Sequence, residues 1–215
     1  FLGRAKKKDF LTIEQAREHK FPIDWSSYEA VKPEKLGVHV LENIDLKVVS
    51  EYVDWSPFFR SWDLHGRYPD ILKDEVVGEQ ATELFADAQE MLGKIIEENW
   101  LEAKAIYGLF PANSNDQDDI EVQGTDQEYI FRTLRQQSKK AAGKPQIALS
   151  DFIAPVNSGN QDYIGAFCVS TGFGVAERAK QFEKDHDDYN SIMLKALADR
   201  LAEALAEYLH LKIRK

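Results

Sequence analysis

The sequence has 215 residues, 43% of them hydrophobic and 30% charged, with a formal net charge of -10. The length suits one large domain with its own core, burying roughly 70% of the unfolded surface, and the composition is that of an ordinary globular protein. The acidity argues against nucleic acid as a partner, because neutralising phosphates needs a basic face, and no apolar run approaches the ~20 residues of a membrane span.

A single cysteine, Cys168, lies in the apolar run Ala166-Phe167-Cys168-Val169. One cysteine cannot form an internal disulfide, so a reducing compartment, the cytoplasm, is expected. With no positive group beside it in sequence, Cys168 is expected to be a buried structural thiol rather than a nucleophile. The basic start, Phe1-Leu2-Gly3-Arg4-Ala5-Lys6-Lys7-Lys8, has no long apolar stretch after it and is not a secretory signal. The absence of an initiator methionine and the stop just after a helix read as a piece of a longer protein.

In chain order, Thr12–Lys20 is expected to be a short helix, with Thr12 and Gln15 forming a capping box. Pro22 and Pro33 bound a loop, and the alternation over Val38–Leu41 predicts a strand. Asp45 caps a short helix running to Val53. Asp54-Trp55-Ser56-Pro57 restarts a helix, proline being tolerated in a first turn. Residues 78–99 form an amphipathic helix whose stripe is Leu84, Ala88, Met91, Leu92 and Ile95. Strands are predicted at Ala103–Phe110, Asp119–Gln123, Glu128–Arg132, Gln146–Ile153 and Asp162–Val169, with a turn at Gly159 and an interruption at Gly165. Val175–Lys184 is a short helix. The last element is a long helix over 188–213, with Met193, Leu197, Leu201, Ala204, Leu205, Tyr208 and Leu209 on its apolar face. Asp185, Asp187 and Asp188 at its start and Lys212, Arg214 and Lys215 at its end suit the helix dipole. Strands and helices are segregated, which predicts an α+β fold: a mostly antiparallel sheet with flanking helices and a long C-terminal helix.

Cofactor motifs are few. Gly172-Phe173-Gly174 lacks the third glycine of a dinucleotide site, and no phosphate-binding Gly-Lys-Ser/Thr occurs. No Cys/His pair has zinc spacing. Asp116, Asp118, Asp119 and Glu121 share the composition of a calcium loop without its glycine and terminal glutamate, and read as a solvated acidic loop. Asp185–Asp188 is accounted for by capping, so no metal is expected. Asp54 stands in Tyr52-Val53-Asp54-Trp55-Ser56-Pro57-Phe58-Phe59, and a carboxylate among aromatics is a helix N-cap, a recognition group for a cation, or both.

Tyr52–Phe59 followed by Gly66-Arg67-Tyr68-Pro69 resembles the opening motif of the activation (reactivation) domain of cobalamin-dependent methionine synthase. Gly108–Asn113, Leu134–Gln137, Ser150–Pro155, Asp162–Phe167 and His186–His210 match in the same order. The resemblance implies a single activation domain over 1–215, incomplete at its C-terminus, with 1–50 an N-terminal extension or linker to the cobalamin domain. It implies support for reductive methylation of cob(II)alamin, with S-adenosylmethionine as methyl donor, in methionine biosynthesis. The activity is that of the whole synthase, and the fragment alone is expected to be inactive. Cobalamin is held by a neighbouring domain of the same polypeptide, and a flavodoxin-type donor supplies the electron. The aspartate of the family's tyrosine-x-aspartate-tryptophan motif, here Asp54, contacts S-adenosylmethionine; no catalytic or metal-ligating residue is implied. The family's further contacts lie in an arginine-x-x-x-glycine-tyrosine segment that these residues do not contain. A second reading is therefore a non-catalytic capping module for a corrinoid-binding domain.

Overall fold

The computed structural model describes residues 9–215; the basic start, residues 1–8, lies outside the described residues. Five strands form one sheet in the order β1-β2-β3-β4, with β5 paired to β2. The strands are β1 (Gly37–Leu41), β2 (Glu102–Ser114), β3 (Asp119–Gln123), β4 (Glu128–Arg132) and β5 (Asp162–Phe173). β2 pairs antiparallel with β3, and β3 with β4. The helices are α1 (Ile13–Glu18), α2 (Leu46–Ser50), α3 (Trp55–Ser61), α4 (Gly78–Glu97), α5 (Val175–Lys184) and α6 (Asp188–Arg214). The expected α+β class, with an antiparallel sheet and a long C-terminal helix, is the class observed.

The chain divides into two compact units. The first holds the described residues up to His39 together with Tyr107–Ala166. Its helix α1 starts as expected, with Thr12 accepting from the Gln15 amide and Gln15 returning the bond to the Thr12 amide. Its small core is Ala112, Ile120 and Val122, flanked by Phe110, Ile153 and Ile164.

The second unit holds Val40–Ile106 and Phe167–Lys215 and is built on helices. The predicted stripe of α4 is buried throughout. In α6, Met193, Leu197, Leu201, Ala204, Leu205 and Leu209 are buried as expected, and Leu194 and Ala198 join them. Asp187 caps α6 by accepting from the Asn190 amide at 3.0 Å, and Lys212 and Arg214 lie in its last turn. Gly174, at φ +97°, opens α5; a Cβ there would lie 2.3 Å from the Trp100 carbonyl oxygen, so only glycine fits.

Three expectations are corrected. Gln146–Ile153 is not a strand but an irregular segment ending in a 3-10 turn at Leu149–Phe152. Its backbone bonds go to loops, from the Gln146 amide to the His19 carbonyl and from the Gln136 amide to the Ile147 carbonyl. The Asp151 carboxylate accepts from the Ala148 amide at 3.0 Å, and this local bond favours a turn over an extended ladder. Gly165 does not interrupt β5, which runs through it to Phe173; the missing side chain lets Leu109 approach, 3.1 Å from where a Cβ would be. Cys168 is exposed rather than buried. It belongs to a stretch of β5, Gly165–Cys168, in which successive residues on both faces are exposed, so an apolar run there does not mark core.

Candidate functional site

In the helical unit, Asp54 is the exposed N-cap of α3 and accepts from the Ser56 amide at 2.9 Å through Oδ1. Among the described residues the Ser56 amide is the one donor to this carboxylate, so Oδ2 is uncommitted. Both readings of Asp54 as cap and as recognition group thus remain compatible in one side chain, with one oxygen for each task.

The aromatic neighbours fix where the carboxylate sits. Trp55, next in sequence, is buried edge-on against Phe58 and Phe85, with centroids 5.4 and 5.0 Å away. Phe59 stacks near Tyr68 at 6.4 Å, and the Ser56 hydroxyl accepts from the Tyr68 amide at 3.2 Å. The Gly66–Pro69 block is thereby folded back on α3. Gly66 is required for that return, since a Cβ would come 2.7 Å from the Ile71 side chain. Tyr52, two residues before Asp54, packs on Tyr208 of α6 at 5.7 Å, and Lys212 lies 5.8 Å over the Tyr208 ring. Elsewhere on α6, Tyr189 donates to Asp87 at 2.7 Å and packs on Trp62 at 5.2 Å. Burial and that hydrogen bond push the Tyr189 hydroxyl up to about 12, so it is a neutral donor at ordinary pH.

The other sequence blocks meet in the first unit around a group the sequence reading did not single out. Arg135, 5% exposed, donates to Asp118 Oδ1 at 2.5 Å from Nη2, to both Asp151 oxygens at 2.6 and 2.9 Å, and to the Gln146 carbonyl at 2.6 Å. Arg17 holds the other Asp118 oxygen at 2.9 Å, and Arg132 pairs with Asp119. The acidic loop is therefore only partly solvated: Asp116 and Glu121 are exposed, whereas Asp118 and Asp119 are buried counter-ions. This corrects the reading of the four acids as one solvated loop. The Ser114 hydroxyl donates to the Ile153 carbonyl, the Asn113 amide to the Ala154 and Asn160 carbonyls, and the Ala154 amide to Asp162. These bonds tie the Gly108–Asn113, Leu134–Gln137, Ser150–Pro155 and Asp162–Phe167 blocks into one polar scaffold. A cleft of about 120 Å³ beside it is lined by Arg17, Lys20, Phe21, Trp25, Asp118 and Asp151 among others. Among the described residues no group of three or more His, Cys, Asp or Glu side chains is placed to hold a metal ion.

Burial alone would raise the Asp118 carboxyl, but the hydrogen bonds from Arg135 and Arg17 outweigh it and hold the group below the usual carboxylate range. Burial likewise works against charge on Arg135, and Asp151 and Asp118 more than reverse it. A depressed carboxyl contributes stability that is present above the unfolded value of roughly 3.9 and is lost as pH falls through the lower folded value. The urea midpoint is expected to be steady from neutral pH down to about pH 4 as far as this group is concerned, and to fall below it. In Asp118→Asn the part of that fall owed to Asp118 should vanish; an acid limb identical in the two proteins would show that Asp118 is not its source.

Comparisons with known proteins bear on the family and the fold. The family model described as vitamin B12 dependent methionine synthase, activation domain, matches residues 45–215. By structure the chain is similar to the crystal structure of the MetH reactivation domain bound to AdoHcy, at 47% sequence identity and a TM-score of 0.90. That match covers 96% of this chain and 64% of the other. The chain belongs to the activation-domain family of vitamin B12-dependent methionine synthases.

Proposed function

We propose that the chain is the S-adenosylmethionine-binding part of a methionine synthase activation domain and serves reductive methylation of cob(II)alamin. The observation that carries this is Asp54: an exposed carboxylate with one uncommitted oxygen, set by buried aromatics at the start of α3. The ligand carries an ammonium and a sulfonium, and a free carboxylate oxygen suits the ammonium through a charge-assisted hydrogen bond. The relative of 47% identity was crystallised with AdoHcy, which supports a ligand of the same adenosyl class here.

The matched structure is longer, this chain spanning 64% of it, so the activity belongs to a larger protein. In that protein residues 1–215 form one activation domain whose remaining part follows downstream, with 1–50 leading from the cobalamin domain. Cobalamin, held by that neighbouring domain, supplies the metal that accepts the methyl group. This chain contributes binding and orientation of the donor rather than proton transfer, and alone it turns nothing over. A flavodoxin-type protein is the electron donor, and the cytoplasm the compartment. Among the described residues no helix is long and apolar enough to cross a membrane.

The second reading is a capping module that does not bind the methyl donor. The visible spectrum of the parent synthase during reductive methylation separates the two. At limiting S-adenosylmethionine, Asp54→Asn is expected to slow formation of the methylated cofactor by about tenfold. Saturating donor should restore the rate. An unchanged rate at limiting donor would favour the capping module.

A further inference from the structure

We infer that Tyr208 of α6 is a positioning residue for Asp54, acting through the ring of Tyr52; the inference rests on the reading of Asp54 as the carboxylate that holds the methyl donor. Asp54 stands in the short link between α2, which ends at Ser50, and α3, which starts at Trp55. On the α3 side it is fixed by the cap bond from the Ser56 amide at 2.9 Å and by the buried Trp55 ring. On the other side the chain is a turn. The Tyr52 amide donates to the Val49 carbonyl at 3.0 Å and the Val53 amide to the Ser50 carbonyl at 3.3 Å. Both bonds join the link to α2 alone. Side-chain packing joins it to the rest of the helical core, from Tyr52 and Val53. The Tyr52 ring lies 5.7 Å from the Tyr208 ring, tilted by 59°. Aromatic pairs at this separation are favourable beyond the area they bury.

Tyr208 is a firm support. It is half-buried on α6 beside Leu205 and Leu209, which are fully buried. Helix α6 also packs against α2 and α3, the elements on either side of Asp54. A densely packed helix of this kind yields little to a side load. One turn on, Lys212 lies 5.8 Å over the same ring. The link is thereby referenced to α6 through Tyr52, two residues from the carboxylate. A hydrogen bond weakens with small errors of distance and angle, and the bond from the donor's ammonium is charge-assisted. A ring that sets the approach of the backbone to Asp54 therefore governs affinity without touching the ligand.

Calorimetric titration of S-adenosylmethionine into the parent synthase tests this. Tyr208→Leu keeps apolar bulk and helix propensity but removes the ring face, and should weaken binding by about fivefold. Tyr208→Phe keeps the ring and should bind as the unaltered protein does. In an Asp54→Asn background the loss caused by Tyr208→Leu should shrink to below about twofold, because the charge it aims is gone. A residue that only fills the core would cost the same in both backgrounds. That result would overturn the proposal while leaving Asp54 as the donor's ligand, as would unchanged binding in Tyr208→Leu, or Tyr208→Phe binding as weakly as Tyr208→Leu. Unchanged binding in Asp54→Asn alone would overturn the reading of Asp54 itself, and this inference with it.

Discussion

Replacing Arg135 with methionine is expected to destabilise the protein by about 3–5 kcal/mol, the range found when one partner of a buried ion pair is removed. The Arg135 side chain is 1% exposed, and its partners Asp118 and Asp151 are 8% and 3% exposed. Methionine fills much of the volume but donates nothing. Asp151 then keeps only the Ala148 amide, and Asp118 keeps Arg17 at its other oxygen. Two carboxylates, 8% and 3% exposed, then lose the cation they share, and one must take up a proton or drag the loop open. The Gln146 carbonyl loses its donor as well. Urea titration at neutral pH measures the loss. Asp118→Asn and Asp151→Asn introduced with Arg135→Met should recover part of it, because the stranded charges are then gone. A single-variant loss below about 1 kcal/mol, the level of an exposed salt bridge, would show that the cluster is solvated in solution.

Leu201→Ala in α6 is expected to cost about 2–5 kcal/mol, the range for truncating a core leucine. Leu201 is fully buried, with Leu197 and Leu205 one turn to either side at 1% and 0% exposure. Helices α2, α3, α4 and α5 all pack against α6, so a cavity at its centre has little freedom to collapse. The urea midpoint of the helical unit should fall with little change in slope. A loss well under 1 kcal/mol would mean that the stripe is not core.

The elements readable from sequence are those fixed by local periodicity. Leu197, Leu201 and Leu205 recur at four-residue spacing, and Leu84, Ala88, Met91 and Ile95 at three and four, so α6 and α4 and their buried faces follow from the chain alone. The caps Thr12, Asp45, Asp54 and Asp187 are equally local, each bonding an amide two or three residues on. What was illegible depends on distant partners. Asp118 reads as solvent-facing until Arg135, 17 residues later, and Arg17, 101 residues earlier, are placed beside it. The Gln146–Ile153 segment has strand composition, yet Asp151 is held by Arg135 and turns the chain. Cys168 has apolar neighbours in sequence, but burial is decided by what lies over each face of β5, and no local pattern reports that. A lone arginine within Leu134–Gln137, with acids elsewhere to match it, was the one available signal for the ion cluster. The candidate site was legible because Asp54 and its aromatic neighbours are contiguous. Its link to Tyr208, more than 150 residues on, was not.

The claim that Asp54 both caps α3 and binds the methyl donor is tested most directly by calorimetric titration of S-adenosylmethionine into a chain extended to the length of the matched reactivation domain. Asparagine keeps the shape and the capping oxygen, so the melting temperature of Asp54→Asn should barely move. It removes the charge, which turns a charge-assisted hydrogen bond into a neutral one, worth on the order of 1–2 kcal/mol less. The expected result is an affinity lower by about tenfold or somewhat more at unchanged stability. Equal affinity in the two proteins would contradict the account and leave Asp54 as a helix cap alone.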